Sequence, residues 1–162
     1  MISLNNGWEF TENWSEEFAR GKGEGEPVRI PHTVRELPYH YADHHDYEMI
    51  SGYRRVINIS RDLTDKRVFV YFEAAGHIAT VYLDGEELAT HRTGYTAFEV
   101  ELTGRIVTGK DHLLAVKLDS TENGEVPPFG FVIDYLTYGG IYRPVWLKMM
   151  FILLRLKPIS FP

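Results

Sequence analysis

Along most of this chain the apolar positions alternate with polar ones rather than recurring at helical intervals. Phe98, Val100 and Leu102 are interleaved with Glu99 and Glu101, and Leu114, Val116 and Leu118 with Ala115, Lys117 and Asp119. Ile141, Arg143, Val145 and Leu147 alternate with Tyr142, Pro144, Trp146 and Lys148. Successive side chains of a strand point to opposite faces, so each run predicts a strand with one face in a core. From Arg67 to Ala75 both sets are apolar, Val68, Val70 and Phe72 against Phe69 and Tyr71, which predicts a central strand covered on both sides. Asp84-Gly85 lies between Val81-Tyr82-Leu83 and Glu86-Glu87-Leu88-Ala89 and predicts a hairpin, because Asp-Gly tolerates the positive φ angles of a type I′ turn. Further strands are expected at 28–31, 52–59, 78–83 and 88–92, and one or two helical turns over 13–20. Two stretches break the rhythm: the polar-aromatic 38–49, and 120–131 with its Asn123-Gly124 and Pro127-Pro128. Long loops within a compact domain are often functional. The pattern as a whole predicts an all-β fold, an antiparallel β-sandwich with jelly-roll topology.

Composition narrows the function. Ten Tyr, nine Phe and three Trp suit pleated surfaces, and 162 residues suit one domain with a sizeable core. The charge is −6, from 17 basic and 23 acidic residues, with the bases scattered. Phosphate-backbone binding needs a basic patch, so no nucleic-acid partner is expected. The absence of cysteine excludes disulfide and thiolate chemistry. The segment from Met1 to Phe10 has neither the basic start nor the apolar centre of a signal peptide. The most apolar run, 149–154, is far shorter than the roughly 20 residues that span a bilayer. A soluble, cytoplasmic protein without cofactor or membrane partner is the expectation.

The densest chemistry lies in Ile133-Asp134-Tyr135-Leu136-Thr137-Tyr138-Gly139-Gly140-Ile141-Tyr142-Arg143-Pro144-Val145-Trp146. A lone carboxylate among aromatics, just before a core strand, is a way to present an acceptor to a sugar, whose C–H faces favour aromatic rings. The plainer role for Asp134 is to cap a turn or pair with Arg143. Tyr135 and Tyr138 could stack on a sugar or pack within the loop. Arg143, alternating with Ile141 and Val145, is expected to be structural and to reach an acidic partner. His40, Asp43, His44, His45 and Asp46 are of metal-ligating type, but all sit in one loop at a spacing that suits no standard site, so no metal is expected. Trp8, Trp14 and Trp146 are expected in the core or at an interface, and His32 as a hydrogen-bonded structural histidine.

Five segments occur in order: Leu4-Asn5-Asn6-Gly7-Trp8-Glu9-Phe10; Val28-Arg29-Ile30-Pro31-His32-Thr33; Gly52-Tyr53-Arg54-Arg55; Phe72-Glu73-Ala74-Ala75-Gly76 leading to Val81-Tyr82-Leu83-Asp84-Gly85; and Asp134 to Arg143. Together they resemble the N-terminal sugar-binding domain of glycoside hydrolase family 2, the β-galactosidase, β-glucuronidase and β-mannosidase group. The resemblance extends from Leu4 to Leu147. It implies a jelly-roll, galactose-binding-domain-like sandwich that packs against an immunoglobulin-like domain and a (β/α)8 barrel. It also implies that the barrel carries two glutamates for retaining hydrolysis of β-glycosides. By the same resemblance Asp134 matches the aspartate that contacts sugar hydroxyls, and Asp46 falls in a loop near the sugar pocket of an assembled enzyme.

No matching glutamate pair is found in this chain, so by itself it is expected to be catalytically inert and to bind sugar weakly or not at all, with Asp134, Tyr135, Tyr138 and Asp46 as substrate-binding candidates in the full-length enzyme and no catalytic residue. Residues 1–147 form the expected domain. Residues 148–162 form an apolar tail without alternation, which is not the pattern of an ordinary half-exposed edge strand and reads as a truncated or frame-altered linker. Such a tail favours self-association, and a homodimer through it is the expected assembly. Two other readings stay open, a free-standing carbohydrate-binding module and a purely structural interdomain module.

Overall fold

The computed structural model describes residues 1–36, 38–40, 43–127 and 138–152, apart from the side chain of His44. Among the described residues ten strands run β1 (Ile2–Ser3), β2 (Trp8–Thr11), β3 (Glu26–Val28), β4 (Ile50–Asn58), β5 (Lys66–Phe72), β6 (Ile78–Leu83), β7 (Glu86–His91), β8 (Phe98–Glu101), β9 (Asp111–Asp119) and β10 (Val145–Phe151). They form two antiparallel sheets, ordered β1-β10-β5-β8 and β3-β2-β4-β9-β6-β7. The alternation read from the sequence is the inner face of this sandwich. Val68, Val70 and Phe72 of β5 meet Leu114, Val116 and Leu118 of β9, with Trp8, Phe10, Tyr53, Val81, Ile141 and Leu147 in the same core. Burying each such side chain contributes roughly 1.5–3 kcal/mol.

The outer face of the six-stranded sheet is covered by α1 (Glu16–Ala19), capped by the Ser15 hydroxyl that accepts from the Phe18 N–H. The Gly52-Tyr53-Arg54-Arg55 segment sorts its side chains by the strand period. Gly52 faces outward and lies under Trp14, where a Cβ would stand 2.9 Å from the indole Cε3. Tyr53 faces the core, and its hydroxyl meets His32 Nδ1 at 2.8 Å. Arg54 faces outward beneath the Phe18 ring, 4.2 Å from its centroid, and donates to the carbonyls of Phe18, Lys22 and Gly23 and to Glu9. Arg55 donates to the carbonyls of Leu4 and Asn6, and burial lowers its pKa. This motif therefore ties the N-terminal segment and the α1 loop to β4.

The Asp84-Gly85 hairpin is as expected, with both residues at positive φ, 53° and 83°. Asp84 also accepts from His112 Nδ1 at 2.6 Å and from the Leu113 N–H at 2.8 Å, and His112 Nε2 accepts from the Val107 N–H. That arrangement fixes the imidazole tautomer.

Two expectations need correction, on the start of β10 and the outer side of β5. The strand foreseen from Ile141 starts only at Val145, because Pro144 has no N–H for the ladder and Gly140 pairs with Gly76 as an isolated bridge. Arg143 is exposed, with its guanidinium 5.7 Å from the Tyr142 ring centroid, and Asp134, the acidic partner considered for it, lies outside the described residues. The outer side of β5 is covered by long side chains rather than by another layer. Arg67 lies over Phe69 and Lys148 over Tyr71, tied to Glu101 and Glu99.

Met149–Phe151 belong to β10 despite their unbroken apolar run. Pairing with Lys66–Val68 of β5 holds them in strand, whereas β1 reaches only Trp146 and Leu147. Beyond that point the outer edge of β10 has no strand partner among the described residues, and Met150 and Phe151 are exposed.

Candidate functional site

The end of the sandwich that leads into Tyr138 is knotted around two small residues. Ser120, fully within the interior at the end of β9, donates its hydroxyl to the Tyr47 carbonyl at 2.6 Å and accepts from the Met49 N–H. It thereby anchors the 3-10 turn His44–Tyr47 and the start of β4. On the other side of Ser120 passes Gly139, where a Cβ would stand 2.6 Å from the Ser120 Oγ. The next residue, Gly140, sits at φ 129°, with room for a Cβ blocked by the His32 carbonyl oxygen at 2.4 Å. Glycine is required here for close approach of two backbones as well as for φ. The strip is laced on both sides: Val34 N–H to Gly139 O, His32 N–H to Ile141 O, and a reciprocal pair between Gly76 and Gly140.

That lacing sets Tyr138 at the rim, 39% exposed, with its ring edge-on to Tyr47 at 5.9 Å. Tyr47 is buried and its hydroxyl donates to the Glu36 carbonyl. Burial pushes the Tyr47 pKa up, and the nearby Tyr138 and Asp46 push it further. Asp46 lies exposed in the 3-10 turn, which is started by the Asp43 side chain accepting from the His45 N–H. Thus two of the four candidates, Tyr138 and Asp46, flank one buried tyrosine. Asp134 and Tyr135 lie outside the described residues. Among the described residues no group of three or more His, Asp or Glu gathers to hold a metal ion. Ser120 and Tyr47, which organise this rim, were not singled out from the sequence. A serine in a loop and a tyrosine among tyrosines carry no distinguishing pattern before the fold brings them together.

Burial lowers the pKa of His32, against the pull of Glu26, and of His77, against Asp119 and Glu48. With folded values below the unfolded one, the unfolded chain binds protons first as pH falls. The stability contributed by the neutral rings is complete above about pH 6.5 and is lost as pH drops toward the folded values. The urea midpoint is expected to be lower at about pH 5.5 than at about pH 7.5, and the difference to shrink in His77→Leu. An unchanged difference in that variant would show that His77 does not contribute.

The sequence profile described as "Glycosyl hydrolases family 2, sugar binding domain" matches residues 13–150, so this chain belongs to the family 2 glycosyl hydrolase sugar-binding domains. It is 40% identical over 126 residues to a β-galactosidase of Thermoanaerobacter pseudethanolicus, covering 77% of this chain and 17% of that one. To a β-galactosidase of Thermoanaerobacterium thermosulfurigenes it is 39% identical over 150 residues, 91% of this chain and 21% of the relative. The crystal structure of a Bacteroides uniformis β-glucuronidase superposes with a TM-score of 0.79 at 27% identity, over 91% of this chain and 17% of that one. The chain thus spans a minor part of the length of the relatives it matches.

Proposed function

We propose that this chain is the sugar-contacting N-terminal domain of a β-galactoside-cleaving retaining glycosidase, and that it supplies a positioning carboxylate, Asp134, rather than the reacting pair. The observation that supports this most is the rim. Tyr138, half-open beside Tyr47 and Asp46, follows Asp134 by four residues and is held by a seam that tolerates no side chain at Gly139 or Gly140. In this reading the carboxylate holds a sugar hydroxyl in place for attack by groups on other domains. The immunoglobulin-like and barrel domains implied by the family resemblance are the partners in this reading.

Three carboxylates among the described residues have a displaced pKa, and all three are shifted downward. Hydrogen bonds from the Thr64 backbone and side chain hold Asp62 low, and the Arg67 guanidinium and Thr103 bring Glu101 down to about 2. For Asp84 burial acts upward, but the Leu113 N–H and His112 outweigh it and the carboxyl ends below its ordinary value. A glycosidase general acid needs the opposite shift.

The purified chain is expected to bind methyl β-D-galactopyranoside saturably with a Kd on the order of millimolar. It should release no nitrophenol from nitrophenyl β-D-galactopyranoside above the buffer rate. Release proportional to protein concentration would overturn the non-reacting role, and absence of saturable binding would overturn the sugar-contacting one.

A further inference from the structure

His77 is a buried imidazole that packing alone does not explain. The backbone N–H of His77 donates to the Asp119 carbonyl at 3.1 Å, and the preceding Gly76 exchanges two hydrogen bonds with Gly140, so this stretch of backbone is pinned at the seam beneath Tyr138. His77 is 7% exposed, and its Nε2 is closed off from solvent with no hydrogen-bond partner among the described residues. Gly94 forms one wall of its niche, where a Cβ would stand 3.2 Å from the His77 Cδ2. That wall is held by the Tyr142 hydroxyl, which donates to the Gly94 carbonyl. On the Gly76 side, the Tyr138 carbonyl would lie 2.9 Å from an added Cβ. Asp119 and Glu48 face the ring and favour a proton, but burial outweighs them.

A neutral imidazole offers one donor and one acceptor, the complement of a water or a sugar hydroxyl, each of which both donates and accepts. A leucine would fill the same space without leaving a polar atom unserved, and unserved buried polar atoms are uncommon and costly in native folds. Nε2 is too enclosed for a ligand to touch, whereas a single buried water can serve it and pass a hydrogen bond outward.

We propose that His77 is a positioning residue of the sugar site: its Nε2 holds a buried water that relays a hydrogen bond to a hydroxyl of a sugar seated at the rim formed by Tyr138 and Asp46. The proposal rests on the reading of that rim as sugar-contacting. It adds a recognition element beneath the rim, separate from the Asp134 carboxylate.

The test uses the full chain labelled with 15N-histidine and long-range 1H–15N correlation of the imidazoles, titrated with methyl β-D-galactopyranoside and separately with methyl β-D-glucuronide. The His77 nitrogens should shift saturably with the midpoint seen for the Tyr138 amide. His112, locked between Asp84 and the Val107 N–H, should stay still. His77→Leu should weaken binding about tenfold, the loss of one well-made hydrogen bond, and His77→Gln, whose amide reaches the same place, should stay within about threefold. If His77→Leu does not fold, the shift measurement on the unsubstituted chain decides. Saturable binding with unmoved His77 nitrogens, or with undiminished affinity in a folded His77→Leu, overturns this proposal and leaves the sugar reading standing. No saturable change at any rim residue overturns both.

Discussion

Gly140→Ala is expected to destabilise the chain by at least about 4 kcal/mol, enough to leave much of it unfolded. At φ 129° an alanine is strained, and its Cβ would meet the His32 carbonyl oxygen at 2.4 Å and the Thr33 Cα at 2.9 Å. Both are backbone atoms, so no rotamer change relieves the overlap. The strip must withdraw, which loosens the Gly76 pairing and the bonds from His32 to Ile141 and from Val34 to Gly139. Each of those is worth about 1 kcal/mol net, and the withdrawal also uncovers the fully buried Ile141. Gly104→Ala is the matched control: its φ is also positive, 74°, but nothing lies within 4 Å, so about 1 kcal/mol is expected. Urea unfolding of the two variants checks the account. Equal losses would mean that the seam at Gly140 is not closely packed.

Arg54→Met ranks next, at about 3 kcal/mol or more. Arg54 is 8% exposed and serves the carbonyls of Phe18, Lys22 and Gly23 together with the Glu9 carboxylate. Methionine replaces the stem but leaves those carbonyls without their donor, in a segment that covers Ala115 and Tyr82 on the outer sheet face. Arg67→Met removes an equally short pair, Arg67 to Glu101 at 2.6 Å, but from an exposed site, and little change is expected. Chemical denaturation separates them: similar midpoints for the two variants would contradict the buried role of Arg54.

Much of the fold was readable because the period of two is enforced by the core. The runs at Phe98, Leu114 and Ile78 became strands nearly as drawn, since a slip of one residue would turn every apolar side chain to water. Asp84-Gly85 was readable because its chemistry is local. Trp8–Thr11 and the 3-10 turn carried too few residues to show a period, and the start of β10 was misplaced because a proline weighs more than the alternation around it. In the candidate site, the resemblance directed attention to Asp134, Tyr135, Tyr138 and Asp46. The partners that hold the rim, Ser120 and Tyr47, come from separate stretches of chain and meet through the Ser120 hydroxyl's bond to the Tyr47 carbonyl, with Gly139 packed against Ser120. No local pattern encodes such a meeting.

The central claim is that this domain contacts a sugar through the segment leading into Tyr138, with Asp134 as the carboxylate. The most direct measurement is a titration of the wild-type chain and of Asp134→Ala with methyl β-D-galactopyranoside, followed through the backbone amides around Tyr138, with urea midpoints confirming that both are folded. The account predicts saturable millimolar binding by the wild type and at least about a tenfold weaker response in Asp134→Ala, since a charge-assisted hydrogen bond to a hydroxyl is lost. Equal affinity in the two folded proteins would contradict it.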